Sequence, residues 1–325
     1  HDTLGEKQRW IATDKIHRFI QQCFATEYQA PDVLNADKIG ASCAIAEDLS
    51  SPLPKKSLKN AFWELTKQNL KIGSHLSKGL KIGEDTGYDS GSTLDFVYRN
   101  QTESGNPIGK IIDRQYLNAI GWRGIRVRKQ NIEQLLQKYA EILVKKRKPL
   151  RIMDIASGHG RYILDAVKQL PKRPDSILLR DDRDINVKGG QKMIIERGLT
   201  DIAEFVQADA FDTQSLANVK PKPSLAVVSG LYELFADNDL LRQSLEGLSK
   251  AILKDGYLIY TGQIWHPQQE FIARALTSHR EGDAWVMRLR SQAEMDALVE
   301  AAGFKKVDQA IDEFGIFTVS VAQKL

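Results

Sequence analysis

The sequence predicts an α/β fold, a doubly wound and mostly parallel seven-stranded sheet with an antiparallel last strand, preceded by an N-terminal helical extension. Three observations predict it. From about residue 150, short apolar runs alternate with segments of helical period. An acid-glycine turn at 154–160 follows the first of these runs, and two strand-like runs placed close together end the chain.

The elements follow in order. Residues 8–24 read as an amphipathic helix, with Ile11, Ile16, Ile20, Cys23 and Phe24 at helical spacing. Residues 26–92 hold Pro31, Pro52, Pro54 and a Gly/Ser/Asp-rich patch at 83–92 that breaks regular structure. They read as a connector with one helix near 57–70, where Leu58, Ala61, Phe62, Leu65 and Asn69 share a face. A helix from about 127 to 148 carries Ile132, Leu135, Leu136, Tyr139, Ile142 and Leu143, and Pro149 ends it. Strands are predicted at 150–155, 176–180, 203–207, 225–228 and 257–261, with helices at 161–170, 186–197, 240–253 and 268–276. After a helix at 292–302, Gly303 introduces strands at 305–311 and 315–321, an antiparallel pair closing a parallel sheet. The expected domains are thus 1–25, a connector at 26–92, and 93–325, the last with an upstream lid at 93–148 and a core at 149–325.

Composition narrows the class. Apolar residues make up 42% and charged residues 27% of the 325, as in a globular protein with a sizeable core. The net charge of +4 is too balanced to mark a nucleic-acid binder, and no DNA partner is expected. Residues 101–150 differ: eleven Lys or Arg stand against four Asp or Glu, a net +7. Arg123, Arg126, Arg128, Lys129 and the run at 145–148 read either as a solvated helix face or as a surface for phosphate groups of lipid or RNA. Cys23 and Cys43 form no disulfide framework and have no metal-ligand spacing around them, so no metal is expected. No apolar stretch approaches the ~20 residues that cross a bilayer. A cytoplasmic, at most membrane-peripheral, setting is expected, and the His1 start reads as a fragment or a processed product.

The most informative segment is Arg151-Ile-Met-Asp-Ile-Ala-Ser-Gly-His-Gly-Arg-Tyr162. It ends a buried strand with an acid, turns on glycines and enters a helix, at the place where open α/β sheets bind ligands. Gly158 and Gly160 lack side chains, so a ligand can lie against their backbone. A dinucleotide turn needs a third glycine, but that position is the β-branched Ile163. A sulfonium nucleoside with an ammonium group needs an acid before the glycines, and Asp154 supplies it. Further acids follow at strand ends. Asp181, with Asp182 and Asp184 as near alternatives, can accept both ribose hydroxyls. Asp209 can accept the adenine amino group, and Phe211 can cover the ring.

Residues from about 127 to 325 therefore resemble the class I S-adenosylmethionine-dependent methyltransferases, whose sheet is Rossmann-like. Asp154, Gly158 and Gly160 match the first motif, Asp181 the ribose acid and Asp209 the adenine motif. Ala156 stands where the family has its first glycine, which implies a slightly tighter pocket. The resemblance implies S-adenosylmethionine as cofactor, S-adenosylhomocysteine as product, and a site of Asp154, Ala156, Gly158, Gly160, Asp181, Asp182, Asn186, Asp209, Ala210, Phe211 and Ser229. Tyr98, Tyr116 and Arg126 are added from the upstream lid, where the alternative for the aromatic residues is plain packing. His159 borders the cofactor.

The runs Leu94-Asp-Phe-Val-Tyr-Arg-Asn100, Ile112-Asp-Arg-Gln-Tyr-Leu117, Gly121-Trp-Arg-Gly-Ile-Arg126, Val228-Ser-Gly-Leu-Tyr-Glu-Leu-Phe235 and Trp265-His-Pro-Gln268 are similar to a bacterial methyltransferase family. Many of its members follow an α/β-hydrolase domain in one polypeptide. The opening His1-Asp-Thr-Leu-Gly-Glu6 resembles the closing segment of such a hydrolase, while the G-x-S-x-G nucleophile motif is absent. A hydrolase domain is thus an expected partner in the same polypeptide.

Methyl transfer needs alignment first and a base only if the acceptor loses a proton. Tyr232 and Glu233, at the tip of the fourth strand, are candidates to orient or deprotonate the acceptor, or else they begin and cap a helix. His266 is either a base near neutral pH or part of a turn. Residues 282–288 form an insertion that shapes the acceptor pocket. No Asn-Pro-Pro-Tyr-type motif points to amino groups of nucleobases or glutamine. The expected acceptor is a small or lipid-like molecule, with possible contact to an anionic membrane surface. A non-catalytic cofactor-binding module and an RNA methyltransferase are the alternatives.

Overall fold

A computed structural model describes residues 9–25, 32–280 and 282–325, so the hydrolase-like opening at 1–6 lies outside the described residues. The chain divides into two compact units, His1–Val33 and Leu34–Leu325. In the first, α1 (Arg9–Ala25) exposes Trp10, Ile16, Phe19, Ile20 and Phe24.

The second unit begins with helices: α2 (Ala36–Ile39), α3 (Ala41–Ser50), α4 (Leu58–Ser74), α5 (Lys78–Thr86), α6 (Gly91–Arg99), α7 (Pro107–Leu117) and the long α8 (Ile120–Lys145). The α/β alternation follows: β1 (Arg151–Ile155), α9 (Arg161–Ala166), β2 (Ser176–Asp181), α10 (Asp184–Glu196), β3 (Ala203–Gln207), α11 (Thr213–Ala217), β4 (Leu225–Val228), α12 (Asn238–Ala251), β5 (Tyr257–Gln263), α13 (Gln269–Ala275), α14 (Gln292–Ala301), β6 (Phe304–Ile311) and β7 (Phe317–Lys324).

The seven strands lie in the order β3-β2-β1-β4-β5-β7-β6. The first five are parallel, and β7 inserts antiparallel between β5 and β6. The expected sheet is therefore found. Alternation along the strands assigns the two faces. Ile152, Leu225, Val227 and Ile259 pack with Ile132, Leu136, Tyr139 and Leu143 of α8. Met153, Ala226, Val228 and Leu258 pack with Leu241, Leu245 and Leu248 of α12 and Leu298 of α14. Strands covered on both faces are mainly apolar, as β4 is throughout, β1 is at Ile152, Met153 and Ile155, and β5 is at residues 257–260. The order reverses direction between β1 and β4, and a crevice opens there at the carboxyl ends.

The region read as a connector is more helical than expected, and from Leu34 onward it belongs to the same unit as the sheet. The glycine-rich patch does not stay irregular. Gly87, at φ +93°, ends α5, and Ser90 then caps α6 by accepting the Thr93 N–H at 3.1 Å. Asp113 ties the upstream helices together, accepting from the Ser77 and Ser104 hydroxyls and from the N–H groups of Gly79, Glu103 and Ser104. The expected apolar face of α4 is turned outward: Leu58, Phe62 and Leu65 are exposed, and Trp63 and Leu70 face inward instead. No described helix is long and apolar enough to cross a membrane.

Candidate functional site

Strand β1 delivers the chain into a turn whose backbone only small residues tolerate. Gly158 and Gly160 have φ of +56° and +69°, and a Cβ on Gly160 would stand 2.4 Å from Leu179 Cδ1. Ala156 has φ +50°, a conformation that costs an L residue ~1 kcal/mol or more. The tighter pocket expected of alanine here thus comes with a strained backbone.

The turn is held from β2. Asp181 Oδ2 accepts the Gly158 N–H at 2.9 Å, and Oδ1 accepts from the Arg183 N–H at 3.0 Å and Asn186 Nδ2 at 2.8 Å. Burial raises the Asp181 carboxyl above its ordinary pKa, and these three donors offset part of that shift.

Around the turn lies a cavity of about 570 Å3, within the usual range for small-molecule sites. Ala156, Gly158, Gly160, Asp181, Asp182, Asn186, Asp209, Ala210, Phe211, Ser229 and Tyr98 line it, so the structure brings together most of the residues expected there. His159 also borders it. Phe211 stands edge-on to Phe235, their ring centres 4.7 Å apart. Six acids (Asp85, Asp89, Asp95, Asp181, Asp182 and Asp209) face three arginines (Arg161, Arg183 and Arg280), an excess that suits a cationic ligand. The Ser229 hydroxyl and Asn186 Oδ1 are buried without hydrogen-bond partners, so the wall holds polar atoms that a ligand can satisfy. These features fit S-adenosylmethionine.

Three expected cofactor residues are placed elsewhere. Asp154 is fully buried beneath the turn and does not line the cavity. Desolvation raises its carboxyl pKa well above the ordinary range; the Tyr162 hydroxyl beside it offsets part of this, and nearby Asp181 adds to it. The β1 pleat points this side chain into the protein. Tyr116 lines a second cavity, and Arg126 lines neither, because its guanidinium donates to the Leu117 carbonyl at 2.9 Å. The helical face on which each falls is set by how α7 and α8 pack, which spacing does not reveal.

That second cavity, of about 300 Å3, shares Asp89, Leu94, Gly230 and Leu234 with the first. Its walls are mainly apolar and include Ile112, Trp122, Ile125, Trp285 and Phe317. Glu233 faces it, with Arg128 Nη1 3.5 Å from Glu233 Oε1; both side chains are almost fully buried. Tyr232 does not face it. Its hydroxyl lies 3.0 Å from Ser244 Oγ inside the core, and burial raises its pKa far from neutrality, so the candidate acid-base role does not fit this placement. His266 lines the cavity, but Nδ1 accepts the Gln268 N–H at 3.0 Å. The neutral ring therefore carries its proton on Nε2 and presents a donor. Burial pushes its pKa down to about 4, so the expected base near neutral pH becomes a neutral N–H group.

Asp89 was not legible as a site residue. It accepts from the Ser278 hydroxyl and the His279 N–H, both at 2.6 Å, fastening residues 278–279 beside the start of α6. Burial alone would raise its pKa, but His279 and Ser278 hold it below the usual value. Trp285 and Met287, from the 282–288 insertion, line the second cavity, while His279 and Arg280 line the first.

The chain is similar to known proteins in both sequence and fold. The chain is 48% identical over 323 residues to the uncharacterized protein YnbC of Escherichia coli (strain K12), covering 99% of this chain but only 55% of YnbC. It is 26% identical over 193 residues to the ubiquinone/menaquinone biosynthesis C-methyltransferase UbiE of Idiomarina loihiensis, covering 54% of this chain and 75% of that protein. In fold it resembles a possible exported protein from Bordetella parapertussis, with a TM-score of 0.62, 15% identity and coverage of 91% of this chain and 99% of that one. A family model described as "Putative methyltransferase" matches residues 16–324, and the chain belongs to that methyltransferase family.

Proposed function

We propose that this chain transfers the methyl group of S-adenosylmethionine, by in-line displacement, to a small-molecule acceptor held in the apolar cavity. One observation carries the reading. An acid-rich cavity at the β1/β4 crevice shares a wall with an apolar cavity lined by two buried carboxylates, Asp89, which Ser278 and His279 hold, and Glu233, which lies beside Arg128.

Bound S-adenosylmethionine supplies a methyl group already activated on a sulfonium. The protein's work is then alignment, which can contribute roughly 7–11 kcal/mol. Asp181 and Asp209 accept hydrogen bonds at the strand ends, and the Ser229 hydroxyl offers one at the fourth. Asp89, which lines both cavities, fastens Ser278 and His279 beside them. Glu233 is the group placed to take a proton from an acceptor, with Arg128 beside it to orient the carboxylate.

Among the expected acceptors, the compact cavity favours a small molecule over a long lipid. The basic segment gives little support to RNA or a phosphate surface. Arg128 and Lys129 pair with acids, Lys138 and Lys148 with Asp308 and Asp255, and Arg123 lies over the Phe314 ring. The wider reading, a polypeptide that also holds a hydrolase domain, rests on the resemblance of residues 1–6 and the part of YnbC that this chain does not span.

Calorimetry with S-adenosylhomocysteine, followed by labelled methyl transfer into cell extract, tests the proposal. Binding with turnover supports it. Binding without any labelled product favours a non-catalytic module, and no binding removes the assignment.

A further inference from the structure

We propose that the apolar cavity takes an uncharged aromatic acceptor of about two fused rings, a phenol whose hydroxyl meets Glu233 at the wall shared with the cofactor cavity. The inference rests on the methyl-transfer reading and adds the chemical class of the substrate.

Size comes first. An apolar cavity of about 150 Å3 holds one benzene. The cavity here, of about 300 Å3, holds two such rings and cannot enclose a long acyl chain. Shape points the same way. Trp122 and Trp285 stack with centres 6.1 Å apart and planes 25° apart, and Tyr116 meets Trp122 edge-on at 5.5 Å. Flat aromatic walls favour flat ligands through offset and edge contacts.

Charge comes next. Arg128 and Glu233 are buried together and neutralise one another. A ligand bringing a phosphate or carboxylate would leave one charge without a partner in an apolar site. A neutral phenol brings none. Arg128 Nε is buried without an acceptor, so the cavity can give a phenol oxygen a donor as well as a proton acceptor. The pair also lies in the right place. A Cβ on Gly230, which lines both cavities, would stand 3.0 Å from Arg128 Nη2.

The step balances. The phenol O–H proton passes to the Glu233 carboxylate as the oxygen bonds the methyl carbon. The carbon–sulfur bond breaks, the sulfonium becomes a neutral thioether, and Glu233 then releases its proton to water. The His266 Nε2–H, which borders the same cavity, donates a hydrogen bond to the ligand and takes no proton.

Binding of 2-naphthol, followed by quenching of the Trp122 and Trp285 fluorescence with S-adenosylhomocysteine present, tests the proposal. Saturable quenching is expected, with the half-saturating concentration raised about tenfold by Ala119→Phe, which fills the cavity. Met287→Phe provides a second filling variant if the first fails to fold. Labelled S-adenosylmethionine should give 2-methoxynaphthalene. Glu233→Gln should lower turnover about 100-fold near pH 7, and the loss should shrink at high pH, where the phenol ionises without help. S-adenosylhomocysteine affinity should not change in that variant. If S-adenosylhomocysteine binds but 2-naphthol does not quench, or if Glu233→Gln keeps the wild-type rate and pH profile, the acceptor class is overturned while the cofactor reading stands. If S-adenosylhomocysteine itself does not bind, the methyl-transfer reading fails first.

Discussion

The backbone N–H of Gly158 donates to Asp181 Oδ2 at 2.9 Å, so the glycine turn after β1 and the acid that ends β2 hold each other in place. Asp181 thereby has two duties: it shapes the turn and presents a carboxylate to the cavity around it.

Removing that carboxylate should weaken the cofactor site. Asp181→Ala is expected to cost about 1.5–3 kcal/mol of S-adenosylhomocysteine binding, the worth of a hydrogen bond to a charged group. Calorimetry reads this directly, and wild-type affinity would mean that another acid takes the ribose.

Asp154 should behave differently, because it is buried below the turn. Its folded-state pKa is raised, so the folded protein holds a proton that the unfolded chain releases above its ordinary value of 3.8. Stability from this group is therefore present at low pH and is lost as pH rises toward the folded pKa. Asp154→Asn removes the dependence. Urea midpoints should show the variant gaining on the wild type between pH 5 and pH 8, with S-adenosylhomocysteine affinity changing less than in Asp181→Ala. A variant that lost ground as pH rose would contradict the buried, protonated state.

His266 carries the opposite dependence. Its pKa falls to about 4 on burial against 6.5 in the unfolded chain. The unfolded state thus gains a proton first as pH drops, and stability should be level above about pH 6.5 and fall toward about pH 4. The full loss is on the order of 3 kcal/mol. His266→Gln should flatten thermal stability across that window, and an unchanged slope would assign it to other groups.

Ala156 offers a backbone test. Glycine normally destabilises relative to alanine by roughly 0.5–1 kcal/mol. At φ +50° the strain of an L residue is similar or larger, so Ala156→Gly should leave stability unchanged or raise it by up to about 1 kcal/mol. A clear fall in the denaturation midpoint would show that the Cβ makes contacts worth more than the strain.

Short-range pattern made much of this protein legible before its structure. The apolar runs of β1 and β4, the glycines at 158 and 160, and the acids at 181 and 209 are read from spacing alone, because strand alternation and turn conformation depend on residues a few positions apart. Depth and direction were not legible. Whether Asp154 faces the cavity or the core depends on the strand pleat and on Tyr162 packing beneath it. Tyr116 and Arg126 lie on helices that the pattern did not mark, since one helix was expected only from about 127, and the faces on which they and Tyr232 fall depend on neighbours far along the chain.

The sequence by itself determined the sheet, the cofactor turn and the acids at 181, 182 and 209 that line the cavity around it, since each is a local consequence of residue type and period. Only the tertiary structure decided the apolar cavity beside that turn. It draws on residues from Leu70 to Phe317, and the Arg128–Glu233 pair joins side chains 105 positions apart. Long-range apposition of that kind is set by packing the upstream helices onto the open end of the sheet, and no local propensity records it.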